Sequence, residues 1–254
     1  MDITESSDMG TLTGKAAVVT GGSRGIGAAI ARRLAQEGAD VAITYVSSRD
    51  KAEGVVREIE ALGRRGLAIQ SDAADAEASA RGVTDAADAF GRLDILVANA
   101  GVAVFQPLDD FSLADFDRTF DINVRGVFAA SQGAVRRMEA GGRVIVIGSV
   151  NADRMPFAGG AVYGASKSAV QGLVRGWARD LGPRGITANV IQPGPVDTDL
   201  NPDDGPFAES LKALMAIPEY AQGEDVASLA AWLAGPESRY VTGAALTLDG
   251  GFAA

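Results

Sequence analysis

From Lys15 onward the chain alternates between short apolar runs and longer segments with an apolar residue every three or four positions. Seven runs have strand length: Lys15 to Thr20, Asp40 to Val46, Gly66 to Gln70, Leu93 to Ala98, Gly142 to Ser149, Ile186 to Gln192 and Ala244 to Asp249. Their near-continuous Val, Ile, Leu and Ala content suits strands covered on both faces. Between them the helical period predicts Ile26 to Glu37 (Ile30 and Leu34 on one face, Gly38 as its stop), Asp50 to Leu62 and Ala74 to Phe90. It continues with Ser112 to Met138, where Ser112 is an N-cap and Asp115 follows three positions on, then a helix through Tyr163 to about Leu181, and Asp225 to Leu233. This rhythm predicts an α/β fold: a single Rossmann-like domain, doubly wound around a parallel sheet, over residues 12–254. Residues 1–11 are polar and acidic and read as a loose arm. Leu200 to Tyr220 is rich in breaks yet carries Phe207, Leu211, Leu214 and Met215. It suits either a mobile lid over a substrate or an ordinary surface excursion.

Composition narrows the chemistry. At 254 residues the length is normal for one α/β domain. The net charge of −10, with no basic tract, argues against nucleic acid as a partner. No apolar run reaches membrane-spanning length and no secretory signal precedes the first strand, so a cytoplasmic enzyme is expected. There is no cysteine and no histidine. Thiolate nucleophiles, Cys or His metal sites and every His-assisted nucleophile are thereby excluded. Gly21-Gly22-Ser23-Arg24-Gly25 matches a hydrolase G-x-S-x-G pattern, but nothing can activate Ser23. Nor is there a G-x-x-x-x-G-K-[ST] loop for nucleotide hydrolysis.

What remains is a proton-transfer group and a dinucleotide loop. Tyr163 and Lys167 are four residues apart, so on a helix phenol and ammonium share a face. A cation beside the phenolate is expected to lower the tyrosine pKa, and Ser149 can donate to an oxygen on which charge develops. The alternative for Tyr163 and Lys167 is an ordinary exposed helix pair. The cluster Gly21, Gly22, Ser23, Arg24, Gly25, Ile26 and Gly27 lies between a strand and a helix start, where free N–H groups and the helix dipole favour an anion. At the end of the second strand, where an acidic residue would select NAD, stand Tyr45, Val46, Ser47, Ser48 and Arg49. Hydroxyls and an arginine, with Arg24 nearby, suit a 2′-phosphate, hence NADPH; the plainer alternative is a solvated polar loop. Asp72 and Ala73 follow the third strand, where a side chain could meet an adenine, and Asn99, Ala100 and Gly101 make a turn beneath a cofactor. Pro193, Gly194 and Pro195, running on through Val196 to Thr198, form a rigid turn fit to line a nicotinamide. Asn123 is mid-helix, for function or for a local backbone bond. The substrate walls are read as Val102 to Phe105, Asn151 to Phe157, Val196 and the Phe207 to Tyr220 lid, mostly apolar, suggesting a hydrophobic or aromatic ketone. Arg154 could attract an acidic substrate or pair with Asp153 or a surface carboxylate.

Together, Thr20-Gly-x-x-x-Gly-Ile-Gly27, Asp72, Asn99-Ala-Gly101, Asn123, Ser149, Tyr163-x-x-x-Lys167 and Pro193-Gly-Pro195 resemble the short-chain dehydrogenase/reductase family, over essentially the whole chain after its first dozen residues. The one small departure is Ala98 where the family usually has asparagine. The resemblance implies a sheet order of 3-2-1-4-5-6-7, NADPH or NADP+ as cofactor, and a small carbonyl or alcohol substrate. It implies Tyr163 as catalytic acid/base, Ser149 holding the carbonyl, Lys167 gripping the nicotinamide ribose and lowering the tyrosine pKa, and Asn123 holding a relay water. It also implies a homotetramer or homodimer. Among subgroups the chain is similar to 3-oxoacyl-acyl-carrier-protein reductase-like members. V-I-G-S-V-N-A-D-R-M-P and Q-P-G-P-V-D-T-D-L-N-P resemble cyclic-di-GMP-binding biofilm dispersal mediators more closely, which keeps a nucleotide-binding regulatory role open. An NAD-dependent alcohol dehydrogenase is the remaining alternative.

Overall fold

The computed structural model describes residues 10–254. Of the arm expected over 1–11, all but Gly10 and Thr11 lies outside the described residues. Seven strands, β1 (Ala16–Val19), β2 (Asp40–Tyr45), β3 (Gly66–Gln70), β4 (Ile95–Ala98), β5 (Arg143–Ile147), β6 (Thr187–Pro193) and β7 (Ala245–Leu248), form one parallel sheet. Its order is β3-β2-β1-β4-β5-β6-β7, as the family resemblance implies.

The unbroken apolar runs divide by parity. Ala17 and Val19, Ile95 and Val97, and Ile145 and Ile147 face one core, while Val18, Leu96 and Ala98, and Val144 and Val146 face the other. Successive side chains of a strand point to opposite faces, so both faces need apolar cover. Helices α1 (Gly25–Gln36), α2 (Arg49–Ala61) and α8 (Gly223–Ala234) supply it on the first face. On the second, α3 (Ala76–Phe90), α5 (Val127–Val135) and α6 (Ala161–Leu181) do so. Two helices complete the set: α4 (Leu113–Phe120), ahead of α5, and the short α7 (Ala208–Lys212) between β6 and α8.

The long helix expected over Ser112 to Met138 is three pieces, because a π-helical turn, Asp121–Gly126, separates α4 from α5. Its start is where the sequence puts it: the Ser112 hydroxyl accepts from Asp115 N–H at 3.0 Å. The strand order reverses between β1 and β4, leaving a crevice at the carboxyl ends of the strands. Among the described residues no helix is long and apolar enough to cross a membrane.

Candidate active site

The crevice is a cleft of about 860 Å³. At its centre the loop after β1 is fixed to the end of β4. Asn99 Nδ2 donates to the Thr20 and Gly21 carbonyls (2.9 and 3.2 Å), while Asn99 and Ala100 N–H both donate to Thr20 Oγ1 at 3.0 Å. This arrangement demands glycine twice. Gly21 has φ +65°, and a β-carbon there would lie 3.0 Å from Ala100 Cα. A β-carbon on Gly27 would come within 2.5 Å of Asn99 Nδ2. The loop and the first turn of α1 therefore form a backbone cradle that side chains would fill, and such a cradle accepts a pyrophosphate.

The cleft brings together nearly all the residues read as cofactor ligands: Gly21, Ser23, Arg24, Gly25, Ile26, Gly27, Tyr45, Ser47, Ser48, Asp72, Ala73, Asn99, Ala100, Gly101, Pro193, Gly194, Val196 and Thr198. Arg49 is the exception. It turns along its own helix to Glu53 at 2.7 Å, an i,i+4 pair, and does not line the cleft. Arg154 also departs from both expectations. Its guanidinium donates to the Phe252 carbonyl and stands 5.7 Å from that ring, while Asp153 takes a bond from Gln171 instead. Lys51, unremarked in the sequence, contacts Asp199 at 3.2 Å across the cleft mouth.

Ser149, Tyr163 and Lys167 meet on one wall. Ser149 Oγ accepts from Asn151 N–H (3.2 Å), donates to Asn151 Oδ1 at 3.3 Å and lines the cleft beside the Tyr163 phenol. Lys167 is buried on the next turn of α6 and donates to the Ile147 carbonyl at 2.9 Å. The expected lowering of the tyrosine pKa by Lys167 is not what this geometry gives. Burial of the phenol is the larger influence and raises it, with the Ser149 hydrogen bond pulling the other way. The same burial pushes Lys167 down to about 8.

Asn123 sits in the π-helical turn, buried, and its amide is fully committed. Oδ1 accepts from Val102 N–H (2.9 Å), and Nδ2 donates to Val102 O (2.9 Å) and Ser166 Oγ (3.0 Å). The backbone bonds are long-range, across 21 positions, and not the local one considered in the sequence. They pin the loop leaving β4 at the floor of the cleft.

The outer walls are apolar. Phe105 packs on Tyr163 and Phe157, at ring distances of 5.5 and 5.6 Å. Val102, Ala103, Asn151, Val196, Phe207 and Leu211 line the cleft as expected; Leu214 and Tyr220 of the anticipated lid do not. Among the lining residues that the sequence reading did not name are Arg118, Ile122, Asp199 and Phe252. Phe252 is 1% exposed and packs with Val150, Met215, Phe157 and Leu211. No local pattern marks it, because only the return of the chain after β7 brings it here.

A doubly wound parallel sheet with a glycine cradle at its reversal and a Ser-Tyr-Lys wall in the same cleft defines a dinucleotide-dependent oxidoreductase. A family model described as enoyl-(acyl carrier protein) reductase matches residues 21–253. A solved short-chain dehydrogenase from Burkholderia cenocepacia J2315, in complex with NADP, is 55% identical, with a TM-score of 0.95 over 96% of this chain and 100% of that one. A blue fluorescent protein from a metagenomic library, in complex with NADPH, is 54% identical, with a TM-score of 0.94 and the same coverage. The cyclic-di-GMP-binding biofilm dispersal mediator protein of Escherichia coli strain K12 is 52% identical over 97% of this chain and 100% of its own. The chain belongs to the short-chain dehydrogenase/reductase family.

Proposed function

We propose that this protein is an NADPH-dependent carbonyl reductase, with Asn123, Ser149, Tyr163 and Lys167 as its working set and an apolar or aromatic ketone or aldehyde as substrate. The observation that carries it is the convergence of Ser149, Tyr163 and Lys167 on one wall of the cleft whose other end is the glycine cradle. The cradle would hold the pyrophosphate, Arg24, Ser47 and Ser48 the 2′-phosphate end, and Pro193 to Thr198 the nicotinamide. When bound, NADPH supplies a hydride to the carbonyl carbon. Ser149 holds the carbonyl oxygen by its hydroxyl, and Tyr163 delivers the proton that oxygen takes up. Burial keeps the phenol protonated at neutral pH, the form that reduction needs. Lys167, one turn of α6 beyond Tyr163, would orient the ribose. Asn123 holds the floor through Val102.

Phe105, Phe157, Phe207 and Phe252 make the substrate end aromatic, which favours a hydrophobic ketone over a sugar. Segment 200–220 acts as a lid rooted beside Thr198. The exposed Phe116, Phe128 and Trp232 support association into the homotetramer expected for the family, and a cytoplasmic location is part of the same reading.

The test is a panel of ketones and β-keto esters followed by NADPH oxidation, with Tyr163→Phe alongside. The variant is expected to bind NADPH yet lose turnover by at least about 100-fold. Near-normal rates in it would sink the mechanism.

A second reading has support in the name of the Escherichia coli relative: a cyclic-di-GMP-binding regulator using the same anion cradle. Titration with cyclic-di-GMP tests it. Failure of a high-micromolar dose to displace NADPH or shift the melting temperature removes it.

A further inference from the structure

Asp199 occupies an unusual position for a carboxylate. It follows Thr198 at the root of the lid, where Thr198 and Asn201 exchange backbone bonds (3.3 and 3.0 Å) and put Asp199 at the tip of a tight turn. That turn stands over the glycine loop: a β-carbon built on Gly25 would lie 3.5 Å from the Thr198 methyl. A single oxygen of the carboxylate, Oδ2, is 3.2 Å from Lys51 Nζ of α2 and 3.5 Å from Arg24 Nη1 of the glycine loop. Neither cation has another acidic partner within ion-pair distance among the described residues. The carboxyl accordingly sits below its usual range, held there first by Lys51 and then by Arg24.

Two cations that share one oxygen are also within reach of the oxygens of one phosphate. Arg24 and Asp199 line the cleft beside Ser47 and Ser48, at the end where the hydroxyls and cations suit a 2′-phosphate. The lid root thus carries an anion on the groups that read the anion separating NADPH from NADH. We propose that Asp199 is an internal competitor for the cofactor 2′-phosphate, and that Lys51 is a second cation of that subsite beside Arg24. A phosphate monoester carries nearly two negative charges against one for the carboxylate, and offers three oxygens instead of two. It therefore displaces Asp199, whereas a 2′-hydroxyl does not. The exchange costs NADPH part of its affinity and unties the lid root, so that cofactor identity is coupled to the state of the substrate gate. This rests on the NADPH reading above.

The three side chains are each more than half exposed, so the effect is modest and salt-sensitive. The experiment measures dissociation constants of NADP+ and NAD+ by calorimetry for the wild type, Asp199→Asn and Lys51→Met. Asp199→Asn is expected to tighten NADP+ by roughly three- to tenfold and NAD+ by less than about twofold. Lys51→Met is expected to weaken NADP+ by a similar factor and to leave NAD+ unchanged. Unchanged NADP+ affinity in Asp199→Asn, or equal tightening of both nucleotides, overturns the competitor. Unchanged NADP+ affinity in Lys51→Met removes that residue from the subsite and overturns the proposal as stated. A wild type that binds NADP+ no better than NAD+ overturns the cofactor reading itself, and the competitor with it. A wild type that prefers NADP+ while Asp199→Asn is inert overturns the competitor alone.

Discussion

Lys167 is the residue at which stability and chemistry part company. It is buried, contacts no carboxylate within ion-pair distance among the described residues, and gives one hydrogen bond to a backbone carbonyl. Its pKa falls from the usual 10.5 to about 8 because burial disfavours the ammonium. In the unfolded chain the amine is charged up to its ordinary range. Below pH 8 folding must therefore bury a charge, and the unfolded chain holds the proton more tightly. Between about 8 and 10.5 the unfolded state binds more protons, so stability rises with pH across that window. Lys167→Met should accordingly melt at the same temperature or a few degrees higher at neutral pH, with its advantage shrinking toward about pH 10. Its turnover should be lost. Denaturant unfolding of both proteins at the two pH values checks the sign, and a clearly less stable variant at neutral pH would refute it.

Elements show where local pattern stops being informative. All seven strands were legible: the five inner ones because a strand covered on both faces is mostly apolar, and the half-buried edge strands β3 and β7 as short apolar runs. The glycine loop and the Ser149–Tyr163–Lys167 wall were legible for the same kind of reason: each depends on residue type at short spacing. The π-helical turn was not. Nothing in D-I-N-V-R-G marks a wide turn, and the reason for Asn123 lies 21 positions away at Val102. The turn of Arg49 to Glu53 was also legible, since R-D-K-A-E places Glu53 one helical turn on. Segment 200–220, proposed as a lid, depends on partners that local pattern does not reveal. The helix in it runs only from Ala208 to Lys212, and its apolar side rests on Phe252, with Ile217 N–H donating to the Gly250 carbonyl at 2.8 Å. The segment after β7 is thus what this short helix rests on. Phe252→Ala should cost about 3–5 kcal/mol of stability and raise the KM for substrate more than it lowers kcat. Denaturation and steady-state kinetics on one preparation test both halves; an unchanged KM would show that Phe252 supports the core without seating the lid.

Across the whole molecule the cleft draws on both halves of the sheet. Its lining comes from the ends of β1, β2 and β3 on one side of the reversal and of β4, β5 and β6 on the other, with the segment after β6 and the tail after β7 above. A dinucleotide bound there contacts segments far apart in sequence, which must all separate when the domain unfolds. Binding to the native state alone stabilises by about 2.7 kcal/mol at a ligand concentration of 100 Kd. For a domain near this size each kcal/mol moves the midpoint by roughly 2–4 °C, so NADPH at that excess should raise the melting temperature by roughly 5–10 °C. The comparison with NADH then isolates one end of the cleft. On the proposed reading both nucleotides would present the same pyrophosphate to the cradle built by Gly21, Gly25 and Gly27, and only one would present a 2′-phosphate to Arg24, Ser47 and Ser48. At equal concentration NADH should give a visibly smaller shift. An equal or larger shift with NADH would mean that Ser47, Ser48 and Arg24 form a solvated loop, and that the enzyme is an NAD-dependent dehydrogenase on the same Ser-Tyr-Lys wall.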